Sequence, residues 1–444
     1  MSHGVGWPLS FVTILVMFNI LYMSILWQTQ NRYSYKTCLQ SSLSNVANIS
    51  FNGLRKEISS MLQLSKYLEN KALFIDPRFI STVQDVQTQF IDDDQIHIGE
   101  ESLDDILESN TVLMAFFDRN RLKIRHLLKK HNLSWKKGFG RSFEVTFDGI
   151  SYQLISLSLS KTKDYFEFAL RKIKRIIPKF AIMSYEKRNE TFVGPASWTT
   201  FLWTLRRSRF ISCRKDFAVL YRKTYPQFFN KTPQIRNGII LTLQSFRNWA
   251  IEHGATPMLY AGTLLGWYRE CGIIPYTHDI DFAIFIEEHY DKFPEHIMNS
   301  TFMKLSLRFN KPEDLLEYKV YIENGIPMDI FFLYHNENSS WTGGLADKTK
   351  YRFIYPLINR TCATDLLGYL MYVPCNALDV ITSEHGKNWS QPLHSSKYIW
   401  NESPLNMIEI GTIPPNEKNE YFIEYDSVKK KNTNESNFIS PICI

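Results

Sequence analysis

No two of the six cysteines (Cys38, Cys213, Cys271, Cys362, Cys375 and Cys443) are spaced as Cys-x-x-Cys. A thioredoxin-type redox motif is thereby excluded, and a structural zinc knuckle is not expected. Nor does one sign of charge dominate: 51 Lys and Arg stand against 45 Asp and Glu, a net charge of +6. Such a surface suits an anionic ligand and gives no reason to expect nucleic acid. The 19 Gly and 18 Pro are scattered and no internal repeat is present, so collagen-like and low-complexity chains drop out. Only one apolar run is long enough to cross a bilayer, which excludes a polytopic membrane protein. What remains is a 444-residue chain, 44% apolar and 22% charged, a globular composition with room for two or three domains.

The one long apolar run, Trp7 to Trp27, carries no charge. Its length, roughly 31 Å as a helix, matches a hydrocarbon core, and tryptophans at both ends suit the interfacial belt. Leu26 to Gln30 offers no small-x-small cleavage site, so an uncleaved signal anchor is expected rather than a signal peptide. The positive-inside rule would put Arg32 and Lys36 in the cytosol, because residues 1–7 hold no Lys or Arg. Ten Asn-x-Ser/Thr sequons oppose that, at Asn48, Asn132, Asn189, Asn230, Asn299, Asn338, Asn359, Asn388, Asn401 and Asn434. An even cysteine count agrees with an oxidising compartment. The expected topology is a cytosolic tail (1–6), a transmembrane anchor (7–27) and a lumenal body.

Residues 28–110 read as a stem. Phe51, Leu54, Ile58, Leu62 and Leu64 give a helical pattern within Ser50–Asn70, and Asp92–Asp105 is an acidic loop. Residues 111–228 read as a smaller mixed α/β domain, with a hairpin of Phe143–Phe147 and Ile150–Leu159 about Asp148-Gly149. The basic clusters Arg121–Lys130 and Arg171–Lys179 are expected as solvated helix faces, with contact to anionic substrate or headgroups as the alternative. Residues 229–444 carry the sharpest signals. Thr232 and Pro233 start a helix that Gly254 closes, predicting 233–253. A short strand at Met258–Ala261 is followed by a Gly262-Thr263 turn and a helix from Leu264 to Glu270.

Asp279 to Ile286 is a strand whose period of two places Asp279 and Asp281 on one face and Ile280, Phe282 and Ile284 on the other. Paired carboxylates beside a core repel each other, and a hard divalent cation, Mg²⁺ or Mn²⁺, removes that cost. A third carboxylate, Asp329, lies in the apolar run Met328–Phe332, on the second strand of a hairpin turning at Asn324-Gly325. The Gly262-Thr263 turn offers backbone N–H groups to a phosphate. A lone Asp-x-Asp is more often a loop or calcium pair. Strand, Gly-Thr, helix and three aspartates in this order resemble a nucleotidyltransferase fold of polymerase-beta type, so the class expected is α/β (α+β).

Leu259 to Ile286, LYAGTLLGWYRECGIIPYTHDIDFAIFI, closely resembles the LicD/fukutin family of phosphotransferases. Met328–Phe332 resembles that family's "DVFFFY" strand, Trp341–Gly344 its "WNGG", Tyr355-Pro356 its "FP" and Trp400–Asn406 its "WxxSPPN". His385–Trp389 resembles "YGKTW", with His385 for the usual Tyr and Asn388 for the usual Thr. The match covers about 230–425. It implies a single-pass type II Golgi protein of protein O-mannosylation, transferring ribitol 5-phosphate from CDP-ribitol to an O-mannosyl glycan on a dystroglycan-like glycoprotein. It also implies Mg²⁺ or Mn²⁺ on Asp279, Asp281 and Asp329, with Asp329 engaging the acceptor hydroxyl. The closely spaced cysteines of a zinc loop are absent, so zinc is not expected.

The remaining candidates each have a bland counterpart. Gly262 and Thr263 would cradle donor phosphate. Arg269 is a phosphate clamp or an exposed helix cap, and His278 a proton carrier or a structural histidine. Trp341, Gly343 and Gly344 form a turn near the nucleotide or a plain hairpin turn, and Lys387 meets the cytidine diphosphate or is a surface lysine. Other CDP donors (phosphocholine or another phospho-alditol) and a catalytically weak scaffold for another glycosyltransferase are the alternative functions. Self-association through the stem, with or without a Cys38 disulfide, is expected.

Overall fold

The computed structural model describes residues 55–79, 106, 110–187 and 190–425, all within one compact unit. The expected anchor, Cys38, Cys443, the acidic loop 92–105 and the sequons at Asn48, Asn189 and Asn434 lie outside the described residues. Among the described residues no helix is long and apolar enough to cross a membrane.

Helix α1 (Arg55–Tyr67) buries Met61 and Leu64 and leads into β1 (Leu73–Phe74). That strand pairs with β2 (Thr111–Phe117), so from Arg55 onward part of the expected stem joins the first sheet. Helix α2 (Arg121–Lys130) buries Ile124, Leu127 and Leu128 and turns Lys129 and Lys130 to solvent, as its pattern predicts. The sheet continues through β3 (Ser134–Lys137), β4 (Phe143–Phe147), β5 (Ile150–Leu159), β6 (Tyr165–Leu170), β7 (Ile173–Pro178), β8 (Ile182–Lys187) and β9 (Glu190–Pro195). The β4–β5 hairpin turns at Asp148 and Gly149, with φ of 51° and 74°, the left-handed pair a two-residue turn requires. The basic cluster at 171–179 is a strand, not a helix face. Ile173, Ile176 and Ile177 are β-branched residues that fit the pleated, half-buried surface against β6.

Helices α3 (Trp198–Arg206) and α4 (Lys215–Thr224) lead into the second half. Between them, residues 209–211 bridge the two sheets: Phe210 donates to the Lys174 carbonyl of β7, and Ile211 donates to the Ala363 carbonyl. Helix α5 (Ile240–Glu252) starts later than Pro233, because the Gln234 N–H is taken by the Pro275 carbonyl and holds that stretch outside the helix. After β10 (Met258–Leu259) comes α6 (Ala261–Glu270), whose first turn already contains Gly262 and Thr263, so these are not a turn preceding it. It ends at Cys271, in the left-handed conformation and disulfide-bonded to Cys213.

Strand β11 (Ile280–Phe285) is buried along its whole length. After α7 (Phe293–Met298) follow β12 (Lys304–Lys311), β13 (Asp314–Tyr321), β14 (Pro327–His335), β15 (Ser339–Ala346), β16 (Thr349–Pro356), β17 (Thr361–Leu366) and β18 (Tyr369–Pro374). Helix α8 (Ala377–His385), β19 (Met407–Thr412), α9 (Lys418–Tyr421) and β20 (Phe422–Glu424) complete the described chain. The spatial order is β17-β18-β10-β11-β14-β13-β12-β20, with β15, β16 and β19 continuing from β14. Phe246 of α5 packs on Phe282, ring centroids 4.9 Å apart, which commits the even-numbered face of β11 to the core. The Cys362–Cys375 disulfide staples the β17–β18 hairpin, and a buried Asp164–Arg247 pair at 2.7 Å ties the two halves together.

Candidate active site

Strands β11 and β14 run parallel, and Asp281 lies directly opposite Asp329 in their register. Because Phe282 points to α5, Asp281 takes the other face. Asp279 stands just before the strand, held by the Thr277 hydroxyl, which donates to its Oδ1 at 2.9 Å. One carboxylate oxygen from each aspartate lies within 4.8 Å of the others, with Asp281 and Asp329 buried and Asp279 half-buried.

That proximity is costly without a counter-charge. Burial first, then the charges of Asp279, Asp329 and Glu384, push the Asp281 carboxyl well above the usual carboxylate range. Burial and Asp279 also raise Asp329, against the pull of Lys319. The Lys319 ammonium lies 3.0 Å from Asp329 Oδ1 and donates to Oδ2 at 3.2 Å. Asp329 Oδ1 is buried and makes no hydrogen bond. Three converging carboxylates, one with an orphaned oxygen, are a donor set for a hard divalent cation.

Helix α6 is fastened to this cluster. The Thr263 hydroxyl accepts the Asp281 backbone N–H at 2.9 Å, and the Thr263 backbone N–H in turn favours the ionised Asp281 carboxylate. A Cβ at Gly262 would lie 3.6 Å from Asp281 Oδ2, so its backbone passes beside the carboxylate. Both residues therefore sit at the site, serving the aspartate.

The other sequence candidates fall elsewhere. Arg269 is neither clamp nor exposed cap: its side chain is 2% exposed, bound to Glu270 at 2.6 Å and to the Trp389 carbonyl at 3.2 Å. Trp341, Gly343 and Gly344 lie within β15, not in a turn. Trp341 stacks on Tyr334. A Cβ at Gly343 would come 2.1 Å from Leu315 Cβ, and one at Gly344 2.7 Å from Trp400, so both glycines serve strand packing. Lys387 and His278 are exposed. His385 is nearly buried beside Glu384, and burial lowers its imidazole pKa.

Three further residues complete the site. Lys319 is the cross-strand partner of Asp329 on β13. Glu317 is buried on the same face of that strand, its carboxyl raised well above normal by burial and the Asp329 charge. Glu384 of α8 accepts from the Tyr355 and Tyr398 hydroxyls at 2.9 and 3.0 Å and adds its field to Asp281. No local pattern marks Glu384; only the fold brings α8 here.

The family model described as LicD/FKTN/FKRP, nucleotidyltransferase domain, matches residues 254–376, which include all three aspartates. Uncharacterized protein W02B3.4 of Caenorhabditis elegans is 30% identical over 269 residues, covering 59% of this chain and 67% of that protein. Uncharacterized protein T07A5.1 of the same organism is 28% identical over 315 residues, covering 68% and 79% respectively. Ribitol-5-phosphate transferase FKTN of Mus musculus is 32% identical over 225 residues, 50% of this chain and 48% of that protein. The chain thus spans about half the length of the FKTN relative it matches.

Proposed function

The chain belongs to the LicD/FKTN/FKRP family, and on that premise we propose that it is a metal-dependent CDP-alcohol phosphotransferase. The reaction moves ribitol 5-phosphate from CDP-ribitol to a hydroxyl of an O-mannosyl glycan on a glycoprotein and releases CMP. The observation that supports it best is the register of Asp281 against Asp329, with Asp279 close enough for all three to share one ion.

Asp279, Asp281 and Asp329 would hold Mg²⁺ or Mn²⁺, which when bound neutralises the donor diphosphate and the departing CMP. The chain's own residues do the rest. The acceptor oxygen bonds to the ribitol-bearing phosphorus as the bond to CMP breaks, and Asp329 takes the hydroxyl proton. Thr263 holds the Asp281 backbone in place through its hydroxyl.

A Golgi-lumenal, single-pass type II setting accompanies this reading, with other glycosyltransferases of the pathway and a second copy of the chain as partners. Two disulfides support an oxidising compartment. The sequon asparagines Asn132, Asn230, Asn299, Asn338, Asn359 and Asn388 are exposed, as glycan attachment requires, while Asn401 is half-buried. Glycosidase treatment should increase the gel mobility of the expressed protein, and an unchanged band opposes the topology.

The test of function is CMP release by the full chain with Mn²⁺ and a panel of CDP donors. CDP-ribitol should be turned over fastest; preference for CDP-choline or another CDP-alditol changes the donor and keeps the chemistry. Mn²⁺ binding without CMP release from any donor would favour the scaffold role and overturn the proposal.

A further inference from the structure

Asp281, Asp329 and Lys319 form one lateral row across β11, β14 and β13, each directly opposite the next in register. Resting on the phosphotransferase reading above, we propose that Lys319 is the site's exchangeable cation: it neutralises Asp329 while no metal is bound and turns to the donor diphosphate once metal takes Asp329.

Two observations carry this. The Lys319 side chain is 27% exposed, against 11% for Asp329, so the ammonium reaches the cluster from its open side. The pair is also only half hydrogen-bonded: Oδ2 receives an N–H at 3.2 Å, while Oδ1, 3.0 Å from the nitrogen, receives none. An ammonium on a flexible four-carbon stem is a movable point charge, unlike the fixed fork of an arginine. The charge balance calls for such a group. Asp279, Asp281 and Asp329 carry three negative charges when ionised, which a divalent ion and Lys319 together cancel. An arriving diphosphate adds further negative charge, and Lys319 already touches the cluster.

The experiment titrates the full chain with Mn²⁺ alone, and then with CMP at saturating Mn²⁺, in wild type, Lys319→Met and Lys319→Arg. Removing a competing cation should tighten Mn²⁺ binding about threefold in Lys319→Met, the scale of a partly exposed ion pair. The same variant should lose about tenfold in CMP affinity, the scale of one charge-assisted hydrogen bond, and Lys319→Arg should restore most of it. The KM for the CDP donor should rise more than kcat falls. Mn²⁺ binding equal to or weaker than wild type in Lys319→Met, with Lys319→Arg folded and behaving alike, overturns the exchange and leaves a structural pair. If wild type binds no Mn²⁺ at all, the metal-dependent reading fails, and this inference with it.

Discussion

The Thr263 hydroxyl accepts the Asp281 backbone N–H at 2.9 Å, and both side chains are buried at the carboxylate cluster. The first turn of α6 and the strand that carries the carboxylates are thereby one unit. Thr263 is 6% exposed, so losing the hydroxyl leaves a buried N–H without an acceptor. Thr263→Val should cost about 1–3 kcal/mol in urea unfolding, and Thr263→Ser, which keeps the oxygen, much less. Equal losses in the two variants would show that the methyl group, not the hydrogen bond, matters.

Asp281→Asn separates a ligand from a structural carboxylate. The charges of Asp279, Asp329 and Glu384 all work against ionised Asp281, so a neutral amide relieves repulsion in the metal-free protein. In EDTA its Tm should equal or exceed that of wild type. Mn²⁺ plus CMP should raise the wild-type Tm and leave the variant unmoved, and CMP release should disappear. Wild-type turnover by Asp281→Asn would remove the metal-site assignment.

Gly343 and Gly344 differ in what they face. A methyl group at Gly343 meets the Leu315 Cβ at 2.1 Å and its carbonyl oxygen at 2.9 Å, where backbone would have to move. At Gly344 it meets the ring edge of Trp400, which is 44% exposed and can swing away. Gly343→Ala should destabilise by about 1–3 kcal/mol or more, and Gly344→Ala by clearly less. Donor KM of the folded fraction should not change in either. A selective rise in KM would return these glycines to the nucleotide.

His289 sets an acid limit on stability. Burial between Phe293, Tyr318 and Phe332 lowers its pKa to about 4 from an ordinary 6.5. The unfolded chain therefore binds the proton more readily than the folded one. Stability is fully present above about pH 6.5 and is lost as pH falls toward 4. The Tm of His289→Gln should fall less steeply than that of wild type across this window. Parallel curves would mean that another group, such as His296, carries the acid limb.

Local features of this fold are legible in the sequence, and long-range ones are not. The Asp148-Gly149 hairpin, the α1 pattern and the apolar face of β11 follow from periodicity and turn chemistry within a few residues. The hairpin before Asp329 shows the limit. A two-residue Asn324-Gly325 turn would set Val320 opposite Asp329. The actual loop, Glu323–Gly325, has three residues, so Lys319 faces Asp329 instead. One loop residue thus decides whether the site contains a cation. Arg269 could be placed on a helix from sequence, but its burial depends on Glu270, Tyr276 and the distant Trp389 carbonyl. Glu384 depends on where α8 lands, which no spacing reveals.

The bridge at residues 209–211 has a practical consequence for anyone shortening the chain. A fragment beginning at residue 229 would strip the outer partner from β17 and expose a bare strand edge, a template for aggregation. It would also free the Cys271 thiol and leave the Arg247 guanidinium, 1% exposed, without Asp164. A soluble recombinant form should therefore carry both sheets, even though all three aspartates lie beyond residue 229.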